Sequence, residues 1–375
     1  MSTKSRARFA LLVAVILASG CAPEEGTVEI PGFIETTFDG SASPPALVEL
    51  GRHLFHDRRL SVNEARACAT CHEQKKGFTD GFARSIGATL QVHPRNAPTL
   101  TNVVHRPLLN WRHPTPTSLE AQLLVPLLGT APVEMGMDGL ENELLSRLAN
   151  EPTYQTLFAA AFPEPAPFGP GLISLERAAQ AIAAFERTLV SDDSPFDRFR
   201  RGQPGALSEV AREGMAVFFG PRGGCGQCHN GPDLDRTSTQ VTDPPGYFNV
   251  GLYDLDGAGA YPAGNQGLVE ATGVASDMGR FRVPTLRNVA VTGPYFHDGS
   301  TSSLRQAIQI HLDGGRWVPE GPRAGDGRMN PLRDPRLAPR ILSARELWAL
   351  EVFLRHVTDE GFLTNPAFAD PWPSR

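Results

Sequence analysis

Two five-residue runs carry the most legible chemistry in this chain: Cys68-Ala69-Thr70-Cys71-His72 and Cys225-Gly226-Gln227-Cys228-His229, which together use four of its five cysteines. Two thiols three positions apart reach the two vinyl groups of one porphyrin, and a histidine directly after the second thiol falls beneath the iron as proximal ligand. A redox dithiol has no need of that histidine, and a zinc site needs a second ligand pair nearby, which neither run has. The chain is therefore expected to carry two covalently bound c-type haems, attached through Cys68, Cys71, Cys225 and Cys228, with His72 and His229 on the irons.

A duplicated frame must position these runs. Gly51-Arg52-His53-Leu54-Phe55 precedes the first and Gly214-Met215-Ala216-Val217-Phe218 the second, each on an expected amphipathic helix, the latter opening at Ser208 as N-cap. Downstream, Pro98-Thr99-Leu100-Thr101-Asn102 matches Pro284-Thr285-Leu286-Arg287-Asn288, and Thr117-Ser118-Leu119 matches Ser302-Ser303-Leu304 at the head of another helix. The expected fold is mainly α: two cytochrome c-like haem domains in tandem, residues 41–202 and 203–375, joined in the stretch Arg200 to Ala206. Glycine (37) and proline (33) make up about a fifth of the 375 residues, which fits short helices with long ordered loops and falls below the level that marks disorder.

The duplication also compares the far side of each iron. Aligning Ser118-Leu119 with Ser303-Leu304 sets His311 opposite Pro126. A histidine can close the sixth position of an iron, whereas a proline side chain has no donor. His311 shares the stripe of Leu304, Ala307 and Ile308 at helical spacing, so it belongs to the apolar face. The second haem is expected to be six-coordinate on His229 and His311, and the first five-coordinate on His72 with an open face for a small oxidant. A non-enzymatic di-haem electron carrier is the alternative, and it requires both irons to be closed.

Lys4, Arg6 and Arg8 precede an apolar run from Phe9 to Leu17 and the small residues Ala18-Ser19-Gly20, the layout of an export signal over residues 1–20. Cys21 follows where bacterial lipoproteins carry their acylated residue, so the mature chain is expected in the periplasm, anchored by lipid to the outer membrane through a tether over residues 21–40. Three bases and no acids lie in residues 1–20, so their removal takes the formal charge from −6 to near −9. No basic run points to nucleic acid, and membrane contact is expected only through the Cys21 anchor.

From approximately Leu47 to Phe362 the chain resembles the bacterial di-haem cytochrome c peroxidases and their MauG-like relatives. Arg95-Asn96-Ala97-Pro98-Thr99-Leu100, Ser118-Leu119-Glu120-Ala121-Gln122, Glu134-Met135, Ala184-Phe185-Glu186-Arg187-Thr188-Leu189 and Pro284 through Gly299 carry the resemblance. Val133-Glu134-Met135-Gly136 and Asp277-Met278-Gly279-Arg280-Phe281 look most like the MbnH-type branch, whose known member oxidises a tryptophan on a partner lipoprotein. The resemblance implies that Glu134 is the acid-base group over the open face of the first haem, with Gln122 and Pro126 lining the same pocket. It implies that Trp111 lies between the haems as a carrier of electrons or holes. It further implies one Ca²⁺ between the domains, held by Asn96 and the backbone carbonyls of Thr292 and Pro294, with His297 close to the haems and not an axial ligand. Independently of family, peroxide cleavage needs a group that takes and returns a proton, and a carboxylate in an apolar pocket beside Met135 could have its pKa raised to suit both tasks.

The implied activity is reduction of H2O2 at the first haem, with electrons relayed through the second from a small c-type cytochrome or copper protein, or from side chains of a partner lipoprotein. Two positions depart from the pattern. Ala88 stands where peroxidases that need reductive activation carry a blocking histidine, and the nearby His93 is expected to be structural. His311 stands where peroxidases have methionine and MauG-like proteins tyrosine, which should lower the potential of the second haem.

Overall fold

A computed structural model describes residues 43–163, 171–235 and 246–373, so the expected signal, lipid anchor and most of the tether lie outside the described residues. The chain is mainly helical, and several of its helices begin where a small hydroxyl side chain satisfies one of the first free N–H groups. Ser118, Ser174, Ser208, Ser303 and Ser343 each cap a helix by accepting a backbone N–H three residues on, Ser208 among them as its position in the sequence suggests. Strand structure is confined among the described residues to two small antiparallel pairs, Tyr247–Asn249 with Arg280–Arg282 and Trp317–Val318 with Gly325–Asp326. No described helix is long and apolar enough to cross a membrane.

Two helix pairs hold the cores, and they are built alike. Pro45–Phe55 packs against Leu175–Glu186, and Glu209–Phe219 packs against Ala344–Arg355. Each crossing is closed by a glycine: a Cβ on Gly51 would stand 1.8 Å from the carbonyl oxygen of Ala181, and one on Gly214 would stand 1.9 Å from that of Ala349. Four residues after each glycine a fully buried phenylalanine meets another, Phe55 on Phe185 at 5.1 Å between centroids and Phe218 on Phe353 at 5.3 Å. Backbone oxygen cannot swing aside, so Gly51→Ala or Gly214→Ala is expected to destabilise the protein by about 1–3 kcal/mol through overpacking. A lowered thermal midpoint of the haem-loaded protein would be the sign, and an unchanged one would deny the close crossing.

The loops after the two motifs match as well. Phe78 and Leu234 take left-handed backbone conformations, as do Asn102 and Asn288. The amides of Asn102 and Asn288 both reach Ser191, at its carbonyl (3.1 Å) and its hydroxyl (3.2 Å) respectively. At the chain's other end, Phe362, Leu363 and Phe368 return to the first core and pack with Phe78. Gln74 holds them there by donating to the carbonyls of Phe362 (3.0 Å) and Asn365 (2.9 Å).

Candidate haem sites

Each motif opens onto its own cavity. The first, of about 430 Å³, is lined by Cys68, Cys71 and His72 together with Gln122, Pro126 and Glu134. The second, of about 230 Å³, is lined by Cys225, Cys228, His229 and His311. In both, the motif histidine spends Nδ1 on a backbone carbonyl: His72 donates to Phe78 and His229 to Leu234, each at 3.0 Å. His311 does the same toward Ala307 at 2.8 Å. Such a bond fixes the ring and leaves Nε2 for a metal. Burial lowers the basicity of all three, and burial with neighbouring His311 takes His229 to about 4, so these rings are neutral, as ligation requires.

Burial drives the four motif thiols the other way, to about 12 for Cys71 and Cys225 and about 11 for Cys228, with Cys68 also strongly raised. Thiolate exchange chemistry at neutral pH is thereby disfavoured at both motifs.

The far wall of the first cavity is a loop folded back on itself. Ile86 bridges Val92, and Gly87 lies so close to the carbonyl of Val133 that a Cβ would stand 2.1 Å from it. Ala88 is 3 % exposed; its N–H donates to the carbonyl of Glu134 and its own carbonyl accepts from Asn63. The loop thus clamps the backbone of Glu134, and the N–H of Met135 donates to the carbonyl of Pro126 (3.0 Å). Burial pushes the Glu134 carboxyl up to about 7 against the opposing pull of Arg95. His93 brings Nε2 within 3.7 Å of Glu134 Oε1, and burial with the neighbouring Arg95 and Arg112 depresses it to about 4, so it faces the carboxyl as a neutral ring. Gln122 lines the same cavity, and its Oε1 is buried without a hydrogen-bond partner.

Trp111 lines both cavities, and its Nε1 donates to the carbonyl of Asn96 at 2.9 Å. Asn96, Thr292 and Pro294 all line the second cavity, and Asn96 Nδ2 donates to the carbonyl of Phe82 (2.8 Å). Four further side chains line the cavities, of which His93 was expected to be structural and Glu186, Arg106 and Arg282 were given no part in the site. His93 enters the first cavity only because the loop folds back. Glu186 lines it too, part-buried, its carboxyl pushed by burial to about 8. Arg106 and Arg282 line the first and second cavity respectively, each buried and each with an Nε that has no hydrogen-bond partner. Arg106 Nε lies 3.7 Å from a carboxylate oxygen of Asp235, whereas the buried guanidinium N–H of Arg282 suits a carboxylate that haem carries at its edge, so the cavities fit the group that the motifs imply.

Two Cys-x-x-Cys-His cavities that share Trp111 in their walls, set in a helical frame, define a di-haem c-type redox protein. A family model described as di-haem cytochrome c peroxidase matches residues 45–205. The chain is 34% identical to the methylamine utilization protein MauG of Methylorubrum extorquens over 278 residues, covering 73% of this chain and 71% of that one. It is 34% identical to the cytochrome c551 peroxidase of Pseudomonas aeruginosa over 262 residues, 70% of each chain. The crystal structure of a MauG-like protein associated with microbial copper homeostasis superposes with a TM-score of 0.83 at 41% identity, covering 88% of this chain and 94% of that one. The di-haem peroxidase BthA of Burkholderia thailandensis shares the fold, with a TM-score of 0.65 at 21% identity, covering 90% of this chain and 93% of that one. The chain belongs to the di-haem cytochrome c peroxidase and MauG family and is an oxidoreductase acting on peroxide.

Proposed function

We propose that two tandem haem domains, 41–202 and 203–375, form a peroxidase with unequal centres, the first open to H2O2 and the second closed by His229 and His311. One contrast carries this reading: at matching helix positions Pro126 brings no donor to its cavity, whereas His311 keeps Nε2 for the cavity it lines. When bound, the haems supply the iron that takes up peroxide and the store of redox equivalents. The chain's own residues supply the proton handling. Glu134 accepts a proton from the near oxygen of peroxide and returns it to the leaving oxygen, and a pKa of about 7 keeps both of its forms populated near neutrality. Gln122, which lines the same cavity, helps to position the incoming peroxide. Trp111 carries electrons between the cavities that it lines in common.

Asn96 with the carbonyls of Thr292 and Pro294 offers an all-oxygen set that suits one Ca²⁺ with waters completing its shell. The layout of residues 1–20 and Cys21 supports a periplasmic, lipid-anchored mature chain at the outer membrane. Electrons come from a small c-type cytochrome or copper protein. A second reading, oxidation of a side chain on a partner lipoprotein, is favoured by the 41% identity to the MauG-like protein associated with copper homeostasis.

Rapid mixing with H2O2 tests the proposal. A fast change in a high-spin ferric band, with the low-spin haem still liganded, is expected; an inert, wholly low-spin spectrum would make the chain an electron carrier.

A further inference from the structure

We infer that Tyr253 and Tyr261 form a redox relay between the second haem cavity and the surface at Arg323. The inference rests on peroxide oxidising the haems, as proposed above. Phe281 and His297 both line the second cavity and stack on each other with centroids 3.5 Å apart and planes within 7°. Tyr261 lies 6.2 Å from Phe281 and 6.4 Å from His297, and Tyr253 lies 5.4 Å beyond Tyr261. Trp111 belongs to the same buried cluster. Ring follows ring from the haem wall outward, and Tyr253, itself 1 % exposed, ends the series one side chain below solvent. Arg323, 43% exposed, donates Nη1 to Tyr253 Oη at 2.8 Å.

The two phenols differ in what can receive their proton. Tyr261 donates to the amide oxygen of Asn249 (2.7 Å), a very weak base, and accepts from the N–H of Leu252 (3.0 Å). Tyr253 donates in a short hydrogen bond to the carboxylate of Asp298. The guanidinium of Arg316 lies 4.5 Å from the centre of the Tyr253 ring, which makes a protonated, positively charged phenol radical costly there. Oxidation of Tyr253 therefore sends one electron through Tyr261 to the oxidised second haem and the Oη proton to Asp298, leaving a neutral phenoxyl radical. Peroxide is the ultimate oxidant: each H2O2 takes two electrons and two protons to give two waters, so one molecule can oxidise the relay twice, an outside one-electron donor refilling Tyr253 between the steps.

Freeze-quenched electron paramagnetic resonance on the haem-loaded protein after H2O2, without added donor, tests the relay. A tyrosyl signal is expected in the wild type and its loss in Tyr253→Phe, with peroxide-oxidised haem bands persisting several-fold longer. Tyr261→Phe should still respond to peroxide but form the signal several-fold more slowly. Haem bands that respond while no tyrosyl signal appears, or a signal and decay unchanged in both variants, would overturn the relay alone. Haem bands indifferent to peroxide would overturn the peroxidase reading and the relay with it.

Discussion

Glu134→Gln, with both haems attached, is expected to react with H2O2 about 10²-fold more slowly or worse, the usual weight of a positioned acid-base group. Glutamine keeps the shape and the backbone clamp formed by Ala88 N–H, but cannot accept the peroxide proton. The pH profile adds a sign. Burial raises the Glu134 carboxyl from its ordinary 4.5 to about 7, so the accepting, ionised form is scarce at low pH and grows as pH passes through about 7. The wild-type rate should climb with pH across that region and level off above it, whereas the glutamine variant should lose the inflection. His93, held near 4 by burial and its arginine neighbours, is already neutral there and cannot supply the same inflection. Single-turnover mixing between about pH 5 and 9 measures both effects. An unchanged rate and profile in Glu134→Gln would remove the residue from proton transfer.

What the sequence disclosed depended on how local each feature is. Covalent attachment needs cysteines and histidine in one short run, so both haem motifs could be read directly. The helix register exposed His311, because seven positions from Leu304 return to the same stripe, and the register holds: Leu304, Ala307, Ile308 and His311 all line the second cavity. Gly51 and Gly214 were visible as a repeated pair, but their task, letting two helices touch at the carbonyls of Ala181 and Ala349, belongs to residues more than a hundred positions away. Glu134 has no period to announce it and was reached through resemblance alone. The proximity of His93 to Glu134 depends on a loop reversal, pinned by the Ile86–Val92 bridge and by Gly87 against Val133. The tyrosine series was invisible for a similar reason, since Tyr253, Tyr261 and Phe281 converge only once the loops around two three-residue strands have folded.

Pro126→His should extinguish the peroxide reaction by a route independent of proton transfer, and it tests the asymmetry on which the function rests. Position 126 occupies on the Leu119–Leu128 helix the place that His311 occupies on Leu304–Leu312, seven residues after the leucine that follows the serine cap. The carbonyl of residue 126 would still accept from Met135 N–H, and histidine restores a backbone N–H that proline lacks, so the helix gains a donor and loses none. An imidazole facing the first cavity would then ligate its iron as His311 is proposed to ligate the second. Both haems should become low-spin, and the fast peroxide phase should fall by about 10² or more, approaching background. His311→Ala is the converse: the second haem should lose its low-spin signature while both haems stay covalently attached, because attachment depends on the cysteines. If Pro126→His left the peroxide phase intact with a histidine demonstrably bound at the first iron, peroxide would have to act elsewhere, and Glu134 and Gln122 would line a pocket with no part in the reaction.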